Sequence, residues 1–81
     1  MTNYVATFHT HLAAMRTQRS LASLGVNARL APVPRNLSAS CGTCVLYSSD
    51  EPHLERMDQD VERVVERLSA QGGYRELLHN E

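Results

Sequence analysis

Two cysteines stand in the run Cys41-Gly42-Thr43-Cys44, and they are the side chains best suited to do chemistry. A disulfide between them would close a loop too short to constrain the unfolded chain much, so a structural staple is the weakest explanation. In a cytosolic protein, Cys-x-x-Cys more often serves redox chemistry or metal binding. The thiolate is the reactive form. Its free pKa of about 8.5 falls beside cationic groups and helix N-termini. Three side chains could supply such surroundings. Arg35 precedes Cys41 by six residues, and His9 and His11 leave the first strand.

One cysteine pair is half a zinc site, and the chain has no second pair. His9 and His11 would complete a Cys2His2 set with Cys41 and Cys44. Residues two apart at a strand-to-helix turn need not point the same way, which weighs against that set. Each histidine reads equally well as an exposed or capping imidazole, and Arg35 as a surface charge. A thioredoxin-like arrangement would start a helix at the first cysteine. Here the pair runs into Cys44-Val45-Leu46-Tyr47, a β-rich stretch, so any helix dipole must come from elsewhere.

The elements that would position these groups are readable in outline. Tyr4 to Phe8 is β-branched and aromatic and predicts a strand. His9 to Leu24 is built of helix formers, with Thr10 as N-cap and Gly25 as the stop. Ala13, Ala14, Thr17, Leu21 and Leu24 form its apolar face. Val26 to Val33 alternates as a second strand, ended by Pro32 and Pro34. Arg35 to Thr43 reads as a loop, and Cys44 to Tyr47 as a third strand. The stripe Leu54, Met57, Val61, Val64, Val65 and Leu68 follows helical spacing and predicts a second helix, stopped by Gly72-Gly73. Its outer face, Glu55, Gln59, Glu62, Arg63, Glu66 and Arg67, reads as solvated charge or a partner-docking face. Tyr74 to His79 would add one further turn or pack on a neighbour.

The order β-α-β-β-α predicts an α/β sandwich of truncated ferredoxin-like form, with a three-stranded sheet and two helices on one face. The first two strands would run parallel through a right-handed crossover, with the third between them and antiparallel to both. The ends of the first two strands then share one sheet edge. There His9, His11, the first helix's N-terminus and the cysteine loop would meet.

Bulk properties bound the rest. The chain has 81 residues, enough for one domain, read as a core over 1–73 with a short extension over 74–81. Eight arginines, no lysine and nine acids give a net charge of −1, which argues against a nucleic-acid binder. No apolar run of about 18 residues predicts a membrane span. Met1-Thr2-Asn3-Tyr4 lacks the marks of a secretory leader, which predicts a cytoplasmic location. A core this small would gain from a homodimer, which would also cover an edge strand.

Tyr4 to Tyr47 resembles the small bacterial proteins described as putative Se/S carrier protein-like. The resemblance rests on Ala31-Pro32-Val33-Pro34-Arg35 followed by Leu37-Ser38-Ala39-Ser40-Cys41-Gly42. It implies a carrier, sulfurtransferase-like at most, that holds sulfur or selenium on a cysteine as a persulfide or selenosulfide. Cys41, before Gly42, matches the family motif. Cys44 would assist, and Arg35, His9 and the backbone around Gly42 would stabilise the loaded atom. The implied partners are a cysteine desulfurase or other sulfur or selenium donor, and an acceptor protein, with no cofactor. Two other functions stay open: a thiol-disulfide switch or small oxidoreductase, and a zinc-binding or partner-binding adaptor module.

Overall fold

The computed structural model describes residues 1–37, 39–69 and 73–80. Ser38 of the loop, Gly72 of the expected helix stop and Glu81 of the C-terminal extension lie outside the described residues. The chain is α+β, with one helix on a five-stranded antiparallel sheet. Strand β1 spans Thr2–Phe8, helix α1 His11–Ser23, β2 Asn27–Pro32, β3 Thr43–Ser49, β4 Val61–Arg67 and β5 Tyr74–His79. The sheet order is β2-β3-β1-β4-β5.

Strand β3 lies between β1 and β2 and is antiparallel to both, as the sequence predicts. Helix α1 is bounded by local chemistry. The Thr10 hydroxyl accepts from the Ala13 N–H at 3.1 Å, satisfying one of the helix's free donors. At the other end, Gly25 sits at φ +82°. Its N–H donates to the Ala22 carbonyl at 3.0 Å and that of Val26 to Leu21 at 3.1 Å, the paired bonds of a Schellman stop. The small Ala13 and Ala14 let the helix approach the sheet, and Leu21 is fully buried. On the sheet, Tyr4, Ala6, Phe8, Val45, Tyr47, Val61 and Val64 complete that core. Each large side chain sealed there contributes about 1.5–3 kcal/mol.

The second half corrects the two-helix, three-stranded, ferredoxin-like expectation. Leu54–Arg56 is a single 3-10 turn, and Val61–Arg67 is a strand paired with β1 and β5. Tyr74–His79 pairs with β4 as an edge strand, not as a further turn of helix. Two bulges explain why the apolar spacing looks helical. Thr7 pairs with Arg63 but Phe8 pairs with Val61, so Glu62 is an extra residue in β4. Alternation breaks there, and Val61 and Val64 face the helix although three residues apart. A second shift on β5, beside Val64 and Val65, leaves Leu77 and Leu78 both against the helix-side core. Val61, Val64 and Val65 are β-branched, which suits a pleated, buried surface.

No helix among the described residues covers the second sheet face. Val5, Cys44 and Val65 are buried there beneath Val33, Leu37, Leu46 and Tyr74. Within the segment 33–42, Val33 and Leu37 therefore act as a small cover over one end of this face.

Candidate functional site at the thiol edge

Register places the cysteines. Cys44 is the second residue of β3 and lies opposite Thr7 of β1 and Ala31 of β2. The end of β1, the end of β2 and the start of β3 therefore meet at one edge. Cys41 sits just before β3, in the segment that leaves β2. Two prolines shape that segment. Pro32 and Pro34 lack the N–H a ladder requires, but Val33 still donates to the Gly42 carbonyl at 3.1 Å. The chain then turns at Pro34–Leu37, closed by the Leu37 N–H on the Pro34 carbonyl at 3.0 Å.

Both histidines reach this segment. His9 Nδ1 lies 3.3 Å from Ser40 Oγ, and His11 Nδ1 lies 3.0 Å from Thr43 Oγ1. They contact the hydroxyls that bracket Cys41-Gly42, and their ring Nδ1 atoms are engaged there rather than on the sulfurs. Glu62 supplies an anchor that sequence reasoning missed. Its carboxylate accepts from the Ser40 N–H at 2.9 Å and from the Ser40 hydroxyl at 3.1 Å. The bulge gives Glu62 this reach, because an extra residue re-aims its side chain. The signal was hidden because Glu62 falls on the charged side of an apparently helical stripe.

The two thiols, both free, differ sharply in surroundings. Cys41 is half-buried. Its Sγ accepts from the Thr43 N–H at 3.3 Å, and its weakly donating S–H lies 3.5 Å from the Thr43 carbonyl. Cys44 is 0% exposed and donates its S–H to the Pro32 carbonyl at 3.6 Å. Burial pushes its thiol up to about 11, the nearby Cys41 adds to this, and the Arg29 charge opposes it. Cys44 is therefore a thiol at neutral pH. Beside it, the Thr7 hydroxyl is buried with no hydrogen-bond partner among the described residues.

Arg35 stands exposed at the Pro34–Leu37 turn, with no ion pair among the described residues. Gly42 is exposed, and a side chain there would meet nothing within 4 Å. Cys41, Cys44, His9 and His11 do not gather their ligand atoms into one cluster. Among the described residues the group that does so is Glu51, His53 and Glu55, within 4.8 Å of one another.

The family model for putative Se/S carrier protein-like domains matches residues 3–71. The chain belongs to that family. For this Se/S carrier-like chain the match takes in β1 to β4 and both cysteines, so the whole thiol edge lies within it. No curated protein and no solved structure matches the chain. No helix among the described residues is long and apolar enough to cross a membrane.

Proposed function

We propose that this chain carries a sulfur or selenium atom on Cys41 and passes it to a partner protein. The observation that carries this reading is the contrast between the two sulfurs. Cys41 is partly open, on a segment braced by His9, His11 and Glu62, whereas Cys44 is sealed and un-ionised. The family description points the same way.

In the loading step, the Cys41 thiolate attacks the terminal sulfur of a donor persulfide. A new Cys41 S–S bond forms, the donor's S–S bond breaks, and the donor leaves as its thiolate. No net oxidation occurs. Discharge to a partner thiol is the same exchange in reverse order. Cys44 offers a second outlet. If the 33–42 segment lifts, its thiolate can attack the Cys41 sulfur, forming a Cys41–Cys44 disulfide and expelling hydrosulfide. Burial of Cys44 holds that outlet closed, which suits a carrier that must keep its cargo. The exposed Arg35, with His9 and the Gly42 backbone, supplies positive charge and donors around the same segment.

The test is intact-mass spectrometry after incubation with a cysteine desulfurase and cysteine. The expected result is a gain of one sulfur atom, removed by reductant. Accessible thiols that never gain sulfur or selenium from any donor persulfide or perselenide would overturn the reading.

A further inference from the structure

The open sheet face carries a second feature, away from the helix. Strand register aligns Arg29 of β2, Leu46 of β3, Val5 of β1, Val65 of β4 and Glu76 of β5 in one row. Toward the far end of the strands, Asn27, Ser48 and Asn3 form the next row on the same face. Arg67 ends β4 beside them. The β1, β2 and β3 residues of these rows, with Arg67, line a cleft of about 180 Å³, and Val65 and Glu76 lie outside its lining. Its floor is the apolar Leu46 and Val5, and its walls are Arg29, Arg67, Asn3 and Asn27.

The charges of this face do not cancel within the cleft. Glu76 is ion-paired with Arg63, whose Nε lies 3.1 Å away without forming a hydrogen bond. Glu66, held by Arg75, pairs across the strands with the helix-facing Tyr4 and so lies on the other face. Arg29 and Arg67 have no ion-pair partner among the described residues, and no carboxylate lines the cleft among them. The amide oxygen of Asn3 accepts from the Ser48 hydroxyl, which leaves the Asn3 NH2 group as a donor. Strands β2 and β4 are three ladder steps apart, about 14 Å, a span that two arginines can bridge from opposite sides. Guanidinium groups present planar donor pairs that match carboxylate and phosphate oxygens. The volume is below the roughly 300 Å³ at which pockets take drug-sized molecules, so the fitting ligand is small.

We infer that the cleft between Arg29 and Arg67 is a binding site for a small molecule bearing an oxyanion, a phosphate or a carboxylate. The site is separate from the Cys41 segment, although the Arg29 charge reaches Cys44 and Leu46 on its floor is the next same-face residue after Cys44 along β3.

The experiment is calorimetric titration of the full chain with inorganic phosphate, and separately with succinate, at low ionic strength. The expected result is saturable one-to-one binding of at least one of them, and the tighter of the two identifies the group recognised. Arg29→Gln and Arg67→Gln each weaken binding about tenfold or more, since a hydrogen bond to a charged group is worth at least that factor. Cys41→Ser and Arg19→Gln, the latter on the exposed side of α1, leave it unchanged. Unchanged thermal melting of the arginine variants separates lost binding from lost folding. Absence of saturable binding of both anions, or binding that survives the double arginine substitution, overturns the inference.

Discussion

Glu62→Ala is the perturbation that reads most directly on how the thiol segment is held. The carboxylate makes two bonds to Ser40, one to its backbone N–H and one to its hydroxyl. A buried bond to a charged group contributes about 1.5–3 kcal/mol. Ser40 is exposed and Glu62 is half-buried, so screening reduces the pair to roughly 1–2 kcal/mol together. A loss of that size multiplies the open population of the 33–42 segment by roughly five to thirty. Cys44 reports that opening, because it is sealed under Val33 and Leu37 when the segment is closed. In a Cys41→Ser background, which leaves one thiol, Glu62→Ala should therefore speed alkylation of Cys44 by about tenfold at neutral pH. Glu62→Gln, which keeps an acceptor, should fall between. Alkylation of Cys44 at the same rate with and without the carboxylate would refute the argument that Glu62 fastens this segment.

Further predictions follow from the same geometry. Cys44 is raised from 9.0 to about 11 in the fold, so folding favours its neutral form. That contribution is complete below pH 9 and is lost as pH rises through 11. The loss is about 2–3 kcal/mol, seen in denaturant titrations as a slope that Cys44→Ala lacks. Thr7→Val replaces an unpartnered buried hydroxyl by a methyl of similar shape. It should raise stability by about 1 kcal/mol in urea unfolding, and a clear loss would show that the hydroxyl is satisfied. Leu21→Ala empties a fully buried position and should cost about 2–5 kcal/mol in the same assay.

The first half of the fold was legible because local and global signals agree there. Thr10 and Gly25 bound a helix whose small residues face the sheet. β-branched and aromatic runs mark β1 and β3, and Pro32 and Pro34 end β2. Chain direction alone then brings His9 and His11 to the cysteine segment. The second half was not legible, because the bulge at Glu62 sets Val61 and Val64 three residues apart on one face. A broken strand and a helix share that spacing. The same bulge concealed Glu62 as the anchor of Ser40. The Arg29–Arg67 cleft was invisible for a related reason. It exists only once β4 is a strand beside β1.

The proposed carrier function requires the carried atom to rest on Cys41 and not on Cys44. Peptide mapping of desulfurase-treated protein tests this directly, with the Cys41→Ser and Cys44→Ser variants treated in parallel. The added sulfur is expected on the Cys41 peptide, retained in Cys44→Ser and lost in Cys41→Ser. An adduct found on Cys44, or one that persists when Cys41 is replaced, would contradict it.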